Sequence, residues 1–179
     1  MRRSTAISSG FFLALLVLLG SSAALALKVK SKRADGVDFS KFKTYAWRAP
    51  GSEGSGSPSP DEDTDKRIRA AADESLAKRG LRKLAEGEEK PDLWLSYSVG
   101  WNSSFAHEGW AFTDDWMVVD FSRTTDQAVL VLEFTDAGTG KAAWLGWARQ
   151  AANTPQSLEA MRRNADDAVI KILKKYPSK

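Results

Sequence analysis

Cysteine is missing altogether from the 179 residues, and histidine occurs once, as His107. The first absence excludes disulfides, thiolate-held zinc or iron–sulfur clusters, and a cysteine nucleophile. Stability must then come from the packed core alone. A domain near 150 residues buries about 70% of its unfolded surface, which suffices. Also absent are a Walker-type loop, a GxGxxG turn and an HExxH pair, and a GxSxG elbow. The 26 basic and 23 acidic residues are interspersed, for a net charge of +3. With no basic stripe, the charge reads as a solvated mixed surface and points away from nucleic acid. The apolar run Phe11 to Leu19 is too short for a comfortable transmembrane helix.

That run has a different reading. Arg2 and Arg3 precede it, and Ala24-Leu25-Ala26 follows as a small-x-small cleavage signal. Residues 1–26 are expected to be a cleavable signal peptide, and 27–179 one exported domain. Loss of Arg2 and Arg3 brings the net charge near +1 (3 − 2). No cysteine follows the small residues, so a lipid anchor is not expected. The location implied is the periplasm or the cell envelope, with no stable transmembrane helix after cleavage.

The mature chain alternates short extended runs with two amphipathic stretches. Leu27 to Lys32 sets Lys28, Lys30 and Lys32 against Leu27, Val29 and Ser31, which suits an edge strand. Lys43 to Arg48 is a second strand. Residues 49–63 are rich in Pro, Gly, Ser and acid and read as a flexible loop. Thr64 is expected to cap a helix over 64–79, with Ile68, Ala72 and Leu76 as its stripe and Gly80 as its stop. Leu81 to Leu84 reads as a short extended piece, and Asp92 to Trp101 as a strong strand. After Pro155, Ser157 is expected to cap a helix over 157–176, whose face carries Leu158, Met161, Ala165, Ala168, Val169, Ile172 and Leu173.

The strongest signal is Asp126 to Ala152, an apolar run, a Gly-rich turn and a second apolar run: a β-hairpin. Leu130, Leu132, Phe134, Trp144, Gly146 and Ala148 share the face assigned to the core. Val129, Val131, Leu145 and Trp147 share the other, which a two-layer fold leaves partly wet unless another segment covers it, as the usual burial of large apolar residues favours. Six of the seven tryptophans fall between 94 and 147. Trp94, Trp101, Trp110 and Trp116 therefore join Val129, Val131, Leu145 and Trp147 as candidate partner-binding residues. Residues 101–125 form an irregular aromatic-rich insertion. It holds His107, Glu108, Asp114, Asp115 and Asp120, types that could serve a small hydrolase or a metal-dependent enzyme. Their spacing matches no known ligand set. No catalytic residue, cofactor or metal ligand is assigned.

Four stretches carry a resemblance. They are Asp38 to Trp47 (DFSKFKTYAW), Ile68 to Gly80, Pro91 to Tyr97 (PDLWLSY) and Gly138 to Gly146 (GTGKAAWLG). Together they resemble the bacterial exported domains called domain of unknown function 4136, many of which look like lipoproteins. The resemblance implies an exported α/β domain and brings no catalytic residues.

The expected fold is α+β: a two-layer sandwich, its sheet mostly antiparallel, with two helices on one face. The expected function is a non-enzymatic binding or structural module of the envelope. It would meet a protein, glycan or lipid through the outer sheet face and the 101–125 segment.

Overall fold

The computed structural model describes residues 27–48, 61–85, 88–101, 127–150 and 155–177. Among the described residues, six strands and three helices follow in order: β1 (Lys28–Arg33), β2 (Thr44–Trp47), α1 (Glu62–Ala77), β3 (Arg82–Lys83), β4 (Leu93–Trp101), β5 (Ala128–Asp136), β6 (Ala142–Arg149), α2 (Pro155–Arg163) and α3 (Ala165–Leu173). A single helical turn at Phe39–Lys41 links β1 to β2. The strands form one sheet in the order β1-β6-β5-β4-β2-β3. The fold is α+β, and β1 is an edge, as its lysine alternation implies.

The sheet is mixed, which corrects the mostly antiparallel expectation. β2 pairs in parallel with both β3 and β4, while β1–β6, β6–β5 and β5–β4 are antiparallel. The reason lies in the connection. α1 intervenes between β2 and β4, and a helical crossover returns the chain to the end of the sheet from which it left. Neither strand's own sequence shows this.

The hairpin forms as its pattern requires. Phe134 faces Trp144, Leu132 faces Gly146 and Leu130 faces Ala148. In the turn, Asp136 Oδ1 accepts from the backbone N–H of Gly138 at 2.7 Å and of Thr139 at 3.1 Å, while Gly140 supplies a φ of 73°. A bulge between Phe134 and Thr135 adds Ala143 to β6, so Ala143 and not Ala142 is buried. Gly146 is forced by packing. A Cβ there would lie 2.2 Å from the Trp144 ring and 2.4 Å from Ile172 Cγ2.

Helix ends depart from the expected ones. Asp61 caps α1, accepting from Thr64 N at 2.9 Å, and Thr64 sits buried inside the first turn, its hydroxyl bonded to Asp61. The aspartate three residues upstream takes the capping role because it leaves Thr64 free to pack. α2 starts at Pro155, a residue suited to the first helical position, with Ser157 buried in its first turn. The expected single helix over 157–176 is broken at Asn164, whose φ of −111° and ψ of 26° leave the helical region. The stripe survives the break: Met161, Ala165, Ala168, Val169, Ile172 and Leu173 are buried, and Leu158 is partly buried against them.

These side chains, with Ile68, Ala72 and Leu76 of α1, form one core cluster with Tyr45, Leu93, Leu95, Leu130, Leu132, Phe134, Trp144 and Ala148. Tyr176 closes it over Phe134 and Trp144, with ring centroids 4.8 and 5.3 Å away. No helix among the described residues is long and apolar enough to cross a membrane.

Candidate functional site

The polar chemistry of the described residues gathers in three places. The first lies where α1 crosses β2 and β4. Asp65, Arg69 and Asp73 recur every fourth residue, so they share one helix face. Beneath them lie Tyr97, Trp47 and Tyr45. Tyr97 Oη donates to Asp65 Oδ1 at 2.5 Å. Tyr45 Oη and Trp47 Nε1 both donate to Asp73 Oδ1, at 2.7 and 2.9 Å, and Lys83 Nζ reaches Asp73 Oδ2 at 2.7 Å. Between the two carboxylates, Arg69 bonds Asp65 through Nε at 2.8 Å and stacks 4.6 Å from the Trp47 ring centroid. Burial, and then the bonds to Asp73 and Asp65, push both tyrosine hydroxyls far above their ordinary range. They act as fixed donors and not as acids or bases. Every charge in this ladder is committed to a neighbour, and its chemistry is that of a latch.

The second place is the junction of two of the stretches that carried the family resemblance. Asp92 Oδ2 accepts from the backbone N–H of Lys43 and Thr44, at 2.7 and 2.8 Å, and from the Thr44 hydroxyl at 3.0 Å. The Thr44 oxygen in turn accepts from Asp92 N at 3.0 Å. Burial works against the Asp92 charge, but these bonds outweigh it and hold the carboxyl below its usual range. The aspartate ties the starts of β2 and β4 together. Asp38 does similar work at the helical turn, accepting from the Ser40 backbone and hydroxyl.

The third place is the outer face of the central strands. Cross-strand register puts Ser98, Val131, Trp147 and Lys30 in one row, and Ser96, Glu133, Leu145 and Lys32 in the next. Val129, Leu145, Val131 and Trp147 are buried, the last only 7% exposed. Of the two outcomes open for that face, partly wet or covered by another segment, these four positions are covered. Apolar burial extends to both sides of β5, whose near-continuous apolar run is the pattern of a strand covered on both faces. Trp94 stays half-buried beside Ala46 and Thr135. Glu133 is 9% exposed, with the Thr135 hydroxyl donating to it at 3.1 Å. Burial pushes its carboxyl up, against the opposing pull of that bond and of the Arg48 charge. Ser98 Oγ and Trp147 Nε1 are buried with no hydrogen-bond partner among the described residues.

Of the other sequence candidates, Trp101 ends β4, but its side chain lies outside the described residues. So do Trp110 and Trp116, and with them His107, Glu108, Asp114, Asp115 and Asp120. Among the described residues no three His, Asp or Glu side chains form a metal-holding group. The α1 ladder went unread in the sequence, although the acid–base–acid spacing of Asp65, Arg69 and Asp73 was its signal. Glu133, a lone acid within an apolar run, was a second. The scatter of charge along the chain also hid a local grouping: Lys28, Lys30 and Lys32 share a face with Arg149, which pairs with Lys28.

The chain belongs to the family described as Domain of unknown function (DUF4136), whose model matches residues 29–178. Comparison with curated proteins gives no match. Among solved structures, a PelC variant dodecamer from Paraburkholderia phytofirmans is similar at 14% identity, covering 86% of this chain and 100% of that chain, with a TM-score of 0.48. A second PelC dodecamer from the same organism gives 12% identity, 86% and 99% coverage, and a TM-score of 0.47. A PDZ domain protein from Parabacteroides distasonis gives 17% identity, 86% and 37% coverage, and a TM-score of 0.47.

Proposed function

We propose that this DUF4136 chain is an exported bacterial module of the cell envelope that binds or braces a partner and performs no catalysis. Export rests on the Arg2-Arg3, Phe11–Leu19 and Ala24–Ala26 pattern. On that reading the mature protein starts at Leu27, is not lipidated, and works in the periplasm or against the envelope. On this reading its helices make one layer against the inner sheet face, and contact falls to the parts of the outer face that stay accessible. The accessible parts of that face are Trp94 and the β1 lysines; Val129, Val131, Leu145 and Trp147 lie beneath the surface. Residues 101–125 are the other proposed contact region, for a protein, glycan or lipid.

One observation carries the non-catalytic reading. Apart from Glu133, which is buried away from any substrate, five carboxylates that the described elements place in defined geometry are spent on structure. Asp61 caps a helix, Asp65 and Asp73 latch α1, Asp92 ties two strands and Asp136 holds the hairpin turn. An acid or base poised for chemistry needs a free face toward substrate.

The test has two arms. Fractionation of the host with N-terminal sequencing should find a chain beginning at Leu27 in the periplasmic or envelope fraction. A full-length cytoplasmic chain would overturn the export reading. Envelope cross-linking should then yield a partner set that Trp94→Ala depletes. An unchanged set, with the variant folded, would remove the outer face from the proposal.

A further inference from the structure

β1 is the place among the described elements where like charges line up on a regular scaffold. It has β6 on one side and, among the described residues, no strand on the other. Lys28, Lys30 and Lys32 project from one face, opposite Arg149, Trp147 and Leu145 of β6. The Arg149 guanidinium lies 6.0 Å from the Trp147 ring centroid and adds a fourth cation to the row. Lys32 and Arg149 are half-buried and engaged by neighbours. Lys28 and Lys30 are exposed and form no ion pair among the described residues. Glu133, on the same face two strands in, is buried and does not reach the row.

The geometry selects the kind of anion. Alternate side chains of a strand stand about 6.6 Å apart and project in parallel. Parallel ammonium groups do not converge on one phosphate; they match a plane of anionic groups. A second copy of the chain is a poor occupant, because antiparallel pairing of β1 with itself would set lysine against lysine. The position of the strand supplies the rest of the argument. β1 begins two residues after the Ala24–Ala26 site, so on the export reading cleavage there would release this strand beside the bilayer.

We infer that the β1 edge, through Lys28 and Lys30 with Lys32 and Arg149 beside them, docks the domain on acidic phospholipid headgroups. The inference rests on the envelope reading above and names the lipid arm of it. It requires no lipid anchor, since each lysine near an anionic surface strengthens binding about fivefold.

The experiment uses the protein as its host processes it, carrying a C-terminal tag. Co-sedimentation is measured with phosphatidylcholine vesicles, with and without phosphatidylglycerol, at low and high salt. The wild type should bind the phosphatidylglycerol vesicles at low salt and release them at high salt. Lys28→Gln with Lys30→Gln should weaken that binding about thirtyfold, and Lys28→Arg with Lys30→Arg should retain it. Circular dichroism checks that each variant is folded. Equal binding of the Gln variant overturns the proposal, as does equal binding to pure phosphatidylcholine. Capture by a soluble acidic polysaccharide such as polygalacturonate, without vesicle binding, also overturns it and points to a polymer. None of these outcomes alters the fractionation result, so failure of the docking surface is distinguishable from failure of export.

Discussion

Glu133 is the residue most at odds with its surroundings. It sits in the central strand, between Leu132 and Phe134, and its only described bond is from a threonine hydroxyl. A buried carboxylate so poorly matched prefers its proton. Because the folded value lies above the ordinary 4.5, the folded state holds the proton more tightly than the unfolded one. The contribution of Glu133 to stability is therefore fully present below 4.5 and is lost as pH rises through the folded value. Glu133→Gln should remove this loss and stabilise the protein near neutral pH by roughly 1–3 kcal/mol. Urea unfolding of both proteins across the acid-to-neutral range checks it. A wild type that gains on the variant as pH rises would refute the assignment.

At the scale of elements, the α1 latch matters more than the length of the helix. The hydroxyl of Tyr45 is buried with its ring, and Asp73 is its acceptor. Asp73→Ala should leave that hydroxyl and the Trp47 indole N–H short of a partner and cost about 2–4 kcal/mol. Asp73→Asn, which keeps an acceptor oxygen, should cost less. Chemical denaturation gives the difference, and Trp47 fluorescence should report the loosened contact. Equal stability of all three would show that α1 is held by its apolar stripe alone.

The same scale separates what the sequence revealed from what it hid. The hairpin was legible because period-two patterning and a Gly-rich turn act within a few residues. The stripe on α2 and α3 was legible for a similar reason at period 3.6. The parallel pairing of β2 with β4 was not. It depends on Asp92 meeting Lys43 and Thr44 across 48 or 49 positions of chain, and no local pattern encodes a meeting so distant. The apolar residues of the outer face were legible in the sequence, but whether that face is wet or covered was not, because a cover is supplied by chain remote from β5 and β6. The candidate site was the least legible part. Tryptophans announce burial and binding with the same composition, and only the fold separates half-buried Trp94 from buried Trp147.

For the molecule as a whole, stability should grade across the sheet. β5 lies between two long antiparallel partners and is buried along nearly its full length, while β3 has two residues and β1 is half open. Hydrogen exchange should find the amides of β5 the slowest, opening only with global unfolding, and those of β1 and β3 the fastest. Uniform protection across all six strands would mean that the sheet opens as a single unit.

The pairing of β1 with β6 has a consequence in time. Lys28 finds its partner in Arg149, well over a hundred residues later. A chain is made, and threaded through any pore, from its first residue onward. The opening strand therefore emerges early and waits, with no place in the sheet until almost everything behind it has followed. The sheet cannot gain its β1 edge until β6 has been made. Its first strand to appear is among the last to be seated.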